Sequence, residues 1–381
     1  MPKLFLVCLS LVAGLVAASD AVALDYVTIR QAGEQRDLAG TIQVEAADGG
    51  VLLLTRDGAL WPLPKVGQPP LTENGPQMLA RRSDDQPFVP LERDELAREL
   101  AREFPGFKAH KTQRYLVLHN TSPAYAQWVG ALFERLHAAF YTFWTRKGCD
   151  LKEPQFPLVA LVFDSEAAYK QHAEKELGGA AGNIIGYYSL QTNRMTMYDL
   201  TGGGRTTAAR INQILSQPGA ERTVATIVHE ATHQLAFNSG LQVRYADIPL
   251  WVSEGIAIYF ETPDLGSSKG WRSIGAVNRV NLAQFQQSSA RRAGLETMLT
   301  DSSRFRNSAT AADAYAEAWA WCYFLLRRKE QAFVKYLQLQ AQQAPLVDLT
   351  AEQRLAQFKS CFGEDLTDLE AEFLKYMRDV K

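Results

Sequence analysis

The chain has 381 residues, with 40 basic against 42 acidic side chains and a formal charge of −2. So even a balance leaves no basic face for nucleic acid, and 46% hydrophobic residues is the content of a globular chain. At this length more than one core is expected, with a small domain beside a larger one.

Residues 1–23 read as a signal peptide. Lys3 precedes an apolar run from Leu4 to Ala18, and Ala21-Val22-Ala23 offers a small-x-small cleavage site, with Val16-Ala17-Ala18 as an alternative. An uncleaved anchor is the competing reading, but the run is short for a span of roughly 20 residues. No later segment is apolar enough to cross a bilayer. The expectation is therefore an exported chain, periplasmic or secreted, with no stable membrane span once the leader is removed.

Residues 24–66 carry short strand patterns at Asp25 to Arg30, Gly40 to Glu45, Val51 to Thr55 and Ala59 to Pro64. Turn signals at Asp48-Gly49-Gly50 and Asp57-Gly58 separate them, which predicts a small β-barrel-like or hairpin module. Residues 67–90 turn polar and proline-bearing, as an exposed linker would. From residue 91 to 381 a single larger domain is expected, and the whole is α+β.

Its first part, 91–220, alternates helix and strand patterns. Helices are predicted from Arg93 to Phe104, Pro123 to Arg146 and Ser165 to Leu177; strands at Tyr115 to His119, Pro157 to Phe163, Ile184 to Ser189 and Arg194 to Asp199. Gln191-Thr192-Asn193 reads as the turn joining the last two strands. Gly202-Gly203-Gly204 with Arg205 lacks the lysine and spacing of a phosphate loop and reads as a flexible connector.

Residues 221–262 carry the chemistry. Thr223 to Phe237 has no Gly or Pro, and Val224, Ile227, Val228, Ala231 and Leu235 form a stripe at helical spacing. His229 and His233, four apart, then stand on one helix face with Cβ atoms roughly 5–6 Å apart. Two imidazoles so placed can grip one Zn2+ ion, and Glu230 stands beside them as a base for water. A second helix from Leu250 to Glu261 brings Glu254 as the third ligand, leaving one position open. Glu261, seven residues on, shares the Glu254 face and either hydrogen-bonds a ligand histidine or merely ends the helix. Asn238 either braces the loop between the two helices or caps the first. Trp251 walls the cleft or lies in the core, and Gly255 permits a close approach beside the ligand. The competing reading is a chance histidine pair, but only six histidines exist in the chain and two fall in this register.

Residues 263–381 begin irregular to about Ala309, rich in Ser, Arg and Asn, and suited to a lid. Helices follow at Ala311 to Arg328, Gln331 to Gln343, Ala351 to Phe358 and Asp365 to Arg378. Past the leader, Cys149, Cys322 and Cys361 allow at most one bridge; Cys322 with Cys361 is the favoured pair and three free thiols the alternative.

His229-Glu230-x-x-His233 with Trp251-x-x-Glu254-Gly255-x-Ala257-x-Tyr259-x-Glu261 resembles the zinc core of the gluzincin metallopeptidases, the group of thermolysin and aminopeptidase N. More closely, the chain is similar to an uncharacterised family of exported bacterial metallopeptidase-like proteins. That likeness covers most of the chain through Phe104-Pro105-Gly106-Phe107, Gly186-Tyr187-Tyr188-Ser189 with Thr192-Asn193-Arg194, His233-Gln234-Leu235-Ala236-Phe237-Asn238 and Tyr315-Ala316-Glu317-Ala318-Trp319-Ala320. Likeness to characterised peptidases is confined to the two zinc helices.

The resemblance implies a gluzincin-like domain: an α/β lobe with an edge strand, the zinc helices, and a helical C-terminal lobe. It implies one zinc ion and a peptide or protein substrate cleaved by water that Glu230 deprotonates. It also implies that the last strand before the zinc helix runs along the cleft, which makes Met195, Thr196, Met197 and Tyr198 the expected substrate edge; a buried strand is the alternative. Some departures matter. Ser239 stands where a metzincin has its third histidine, Ile258 where thermolysin-like enzymes have an orienting Asp, and no histidine follows His233. Aminopeptidase-N-type enzymes use a downstream tyrosine to bind the oxyanion, and Tyr315 is the candidate here, against a core role beside Trp319 and Tyr323. Two further function classes stay open: a zinc hydrolase on another amide such as cell-wall peptide, and a non-catalytic binding protein that keeps the fold. Nothing in the sequence marks an oligomeric state.

Overall fold

The computed structural model describes residues 23–72, 75–178, 184–203, 206–215, 217, 219–262 and 274–381. The predicted leader lies almost wholly outside them, as do Gly204, Arg205 and the first part of the expected lid. The protein is α+β, and the chain divides into two compact units: the residues up to Arg56 with Trp61–Val89, and Asp57–Leu60 with Pro90–Lys381. No helix among the described residues is long and apolar enough to cross a membrane.

The small unit is built on an antiparallel sheet of β1 (Ala23–Gln31), β2 (Glu34–Glu45), β3 (Val51–Thr55), β4 (Leu60–Leu63) and β5 (Gln77–Pro87), in the order β4-β3-β2-β1-β5. Val27, Ile29, Val51, Leu53, Leu63 and Met78 form its core. The expected linker over 67–90 is corrected by β5, which pairs with β1 from Ala23↔Pro87 to Arg30↔Gln77. Its run Ala80-Arg81-Arg82-Ser83-Asp84-Asp85 is polar because an edge strand exposes most of its side chains, so the strand resembles a linker in composition alone.

The large unit opens with a sheet in the order β6-β7-β8-β10-β9. Its strands are β6 (Lys108–Lys111), β7 (Tyr115–His119), β8 (Leu158–Phe163), β9 (Gly186–Tyr188) and β10 (Arg194–Tyr198). β7, β8 and β10 run parallel, with β6 and β9 antiparallel at the edges. β7 and β8 are buried at every position, as central parallel strands covered on both faces must be. Their side chains alternate between two cores. Tyr115, Val117, Leu158 and Ala160 face α2 (Pro123–Arg146), while Leu116, Leu118, Val159 and Leu161 face α1 (Arg93–Glu103) and α3 (Glu166–Leu177). The start of α2 is fixed by Ser122, whose side chain accepts from the Tyr125 N–H, followed by Pro123 in the first turn.

This topology corrects the expected substrate edge. β10 is paired on both sides, to β8 and β9, and Met195, Thr196 and Met197 are buried; Tyr198 is half-buried. Its backbone has no free edge to offer. The free edge belongs to β9.

After the short α4 (Ala208–Leu215) come α5 (Ala220–Asn238) and α6 (Leu250–Phe260). Val224, Ile227, Val228, Ala231 and Leu235 are fully buried, so the stripe read from sequence is the packed face of α5. Residues 279–306, expected to be irregular, form α7 (Arg279–Gln287), α8 (Leu295–Thr300) and α9 (Ser303–Arg306). α7 and α9 are docked on α10 (Ala311–Arg328) and α8 on the two C-terminal helices, rather than hinged as a lid. Arg304 grips the buried Glu317 with both guanidinium nitrogens, at 2.7 and 2.8 Å, and Arg291 and Gln284 hold Asp313. The arginines that made this stretch look like surface loop are its anchors. α11 (Glu330–Gln340), α12 (Ala351–Phe362) and α13 (Leu366–Asp379) complete the unit.

Among the described residues Cys149, Cys322 and Cys361 are all free, which corrects the favoured Cys322–Cys361 pair. Cys322 is sealed between α10 and α6. A Cβ on Gly255 would stand 2.4 Å from the Ala318 carbonyl oxygen and 2.5 Å from Cys322 Sγ, so only glycine lets α6 lie this close to α10.

Candidate metal centre

α5 and α6 bring three ligand-type atoms together. His229 Nε2 lies 3.1 Å from His233 Nε2 and 3.0 Å from Glu254 Oε2, and His233 Nε2 is 3.6 Å from the same oxygen. His229, His233 and Glu254 can thus hold a metal ion among them. Two atoms bound at about 2.0–2.1 Å in a tetrahedral shell stand roughly 3.3 Å apart, so the triangle has the size such an ion requires.

The neighbours of the imidazoles decide where their lone pairs point. His229 Nδ1 is 2.5 Å from Glu261 Oε1, which can only accept, so the ring proton sits on Nδ1. Ser253 Oγ donates to Gln242 Oε1 at 3.2 Å and is therefore free to accept from His233 Nδ1 at 3.3 Å. With both protons on Nδ1, both Nε2 lone pairs face each other and the Glu254 carboxylate. Three acceptors converging in a buried place repel unless a cation lies between them. A second proton, on His229 Nε2, is one such cation: although burial works against charge here, hydrogen bonds to Glu254 and Glu261 raise the His229 pKa well above its ordinary value. Burial likewise opposes ionisation of Glu254, yet the His233 charge and the His229 hydrogen bond pull its pKa far down. The pocket favours positive charge at its centre.

Glu230 stands beside this triangle. Its Oε2 accepts from the Tyr188 backbone N–H at 2.9 Å, a group on the free edge of β9. Burial pushes its carboxyl above the ordinary glutamate range, against the pull of His229 and His233. Tyr315, on α10, is half-buried and packs edge-on against Phe305 at 5.3 Å between ring centres. Burial and then the charges of Glu254, Glu230 and Glu261 raise its pKa, so the phenol lies within the field of the site, and among the described residues it makes no hydrogen bond.

Asn238 is placed differently from either expectation. Its amide donates to Asn193 Oδ1 at 2.7 Å and to the Gln234 carbonyl at 2.8 Å, tying α5 to the β9–β10 turn. Asn193 has a left-handed backbone (φ 59°) and also accepts from the Tyr188 hydroxyl at 2.7 Å, so the brace fixes the strand that holds Glu230. Trp251 does not wall a cleft. It is 1% exposed and packs among Phe333, Tyr336 and Phe358, because it lies on the side of α6 that faces α11 and α12. Sequence reading missed Tyr188, Ser253 and Gln242. Ser253 adjoins Glu254 and was within reach of a search for histidine partners; Tyr188 acts through its backbone, which side-chain chemistry does not reveal.

Glu261→Ala removes the acceptor that orients His229, and the metal affinity is expected to fall about 10–100-fold with little change in stability. Competition with a chromogenic chelator measures it, and unchanged affinity would make Glu261 a passive helix end.

A family model described as "Protein of unknown function (DUF1570)" matches residues 223–347, less than half of the chain. The matched stretch contains His229, Glu230, His233, Glu254, Glu261 and Tyr315. Comparison with curated proteins returns no match.

Proposed function

We propose that the chain is an exported zinc-dependent metallopeptidase of the gluzincin type. The observation that carries this reading is the convergence of two Nε2 lone pairs and one carboxylate, each histidine backed at Nδ1, with Glu230 alongside. Two imidazoles and a single carboxylate form a donor set typical of catalytic zinc, with room for a fourth, exchangeable partner. When bound there, zinc supplies a Lewis acid that polarises a carbonyl and acidifies water.

The protein's own groups do the rest. Tyr188 N–H holds one oxygen of Glu230 and leaves the other to take a proton from the attacking water. Glu230 then passes that proton to the departing nitrogen. The Tyr315 hydroxyl, which makes no hydrogen bond among the described residues, donates to the oxygen on which negative charge develops. β9, the outer strand of the sheet, takes the role expected of β10: an extended peptide can run along its outer side, next to the Tyr188 N–H that holds Glu230.

The test is direct. Purified mature chain is analysed for bound metal and screened against quenched fluorescent peptide libraries with and without chelator. The reading requires about one zinc per chain and cleavage that chelator abolishes and zinc restores. Protein that holds no divalent cation, or that holds zinc and cleaves no peptide, rejects it.

A further inference from the structure

Beside the metal centre lies a cavity of about 690 Å³, walled by the first turns of α5, by Glu261 and by the start of α7. Arg222 and Thr226 line it, and these stand seven and three residues before His229. Positions 222, 226, 229 and 233 follow helical spacing, so the cavity wall and the two histidines share one face of α5. Across the cavity, Arg279 opens α7 behind Asn278, whose side chain caps that helix and also reaches Glu261.

The two arginines are unlike others of this lobe. Arg291 is tied to Asp313, Arg304 to Glu317 and Arg327 to the Gly275 carbonyl. Arg222 and Arg279 are exposed, and among the described residues neither guanidinium has a hydrogen bond or an ion pair. Glu221, on the same wall, offsets part of their charge, while Glu261 is committed to His229. Ala225 and Val277 give the cavity an apolar lining between the charged groups. Two guanidiniums without partners among the described residues, on opposite walls of a recess of mixed polar and apolar lining, suit a carboxylate, which such a fork binds through paired hydrogen bonds.

We propose that this cavity receives a carboxylate of the substrate peptide, held by Arg222 and Arg279, and so selects an acidic substrate. The inference rests on the peptidase reading and adds its specificity. Seven residues of helix separate Arg222 from His229 by about 10 Å along the axis. An extended peptide advances about 3.3 Å per residue. The recognised carboxylate is therefore within about three residues of the scissile bond. Two sources have this chemistry, an acidic side chain and the free C-terminus.

The experiment uses zinc-loaded Glu230→Gln protein, in which binding is read without turnover, with cleavage by the unsubstituted chain followed in parallel. The probes are hexapeptide pools with Glu or Gln fixed at one position in turn, each made as free acid and as C-terminal amide. The expected result is binding roughly tenfold or more tighter for one acidic form. A preference for Glu over Gln identifies the side chain, and a preference for acid over amide identifies the terminus. Arg222→Ala with Arg279→Ala in the same background abolishes the preference while zinc content stays constant. Equal binding of all four forms overturns the proposal, as does a preference that survives the double substitution; in either case cleavage by the unsubstituted chain leaves the peptidase reading standing. Absence of both binding and cleavage removes the two together.

Discussion

Glu230→Gln is expected to keep its zinc and lose turnover by about 10²–10⁴-fold, the usual share of a positioned general base. The change is close to isosteric. The carboxamide oxygen can still accept from the Tyr188 N–H, and His229, His233 and Glu254 are untouched, so metal content and thermal midpoint should match the parent chain. What the amide cannot do is take a proton from water. If Glu230 served only to fasten β9 to α5, glutamine would serve as well and the rate would be unchanged. Metal analysis and kcat on one preparation separate these cases, and a rate within threefold of the parent would remove Glu230 from the chemistry.

The metal triad was legible in sequence because its geometry is local. Residues four apart on a glycine-free helix must share a face, so His229 and His233 needed no tertiary knowledge. Glu254 required only that a second helix return over the first, and Glu261 followed from the helical period. The helices α2 and α10 were equally plain, since Ser122-Pro123 marks one start and long periodic runs define both. What failed depended on pairing at a distance. Whether β9 or β10 is the outer strand is decided by which of them meets β8, and the hairpin residues do not encode that partner. β5 was lost because an edge strand with polar side chains carries no alternation. The short helices between 279 and 306 were lost because their arginines are read as solvent-facing until Glu317 and Asp313 are seen beneath them.

Position 255 shows how these levels meet. Glycine there looks like a weak point in a helix, yet it allows α10 to lie against the turn that carries Glu254. The aim of Glu254 is thus set by a packing contact of the next residue, about 100° round the α6 axis. α6 is buried nearly all round, so its orientation is fixed by shape fitting more than by a polar face.

The same reasoning gives the largest stability effect. Trp251→Ala is expected to cost roughly 3–5 kcal/mol, the usual range for removing a buried large aromatic. Trp251 is sandwiched by rings from α11 and α12, with the Tyr336 ring nearly parallel at 13° and 6.2 Å away, and so joins α6 to the C-terminal helices. Chemical denaturation should show a lower midpoint, and Trp251→Phe should recover a good part of the loss. A cleft-wall tryptophan would behave otherwise: its removal would raise KM for peptides and leave unfolding within about 1 kcal/mol of the parent, as surface changes do. Because the indole is buried among Phe333, Tyr336 and Phe358, KM measured well below the unfolding transition should stay within twofold. A raised KM at unaltered stability would return Trp251 to the substrate cleft.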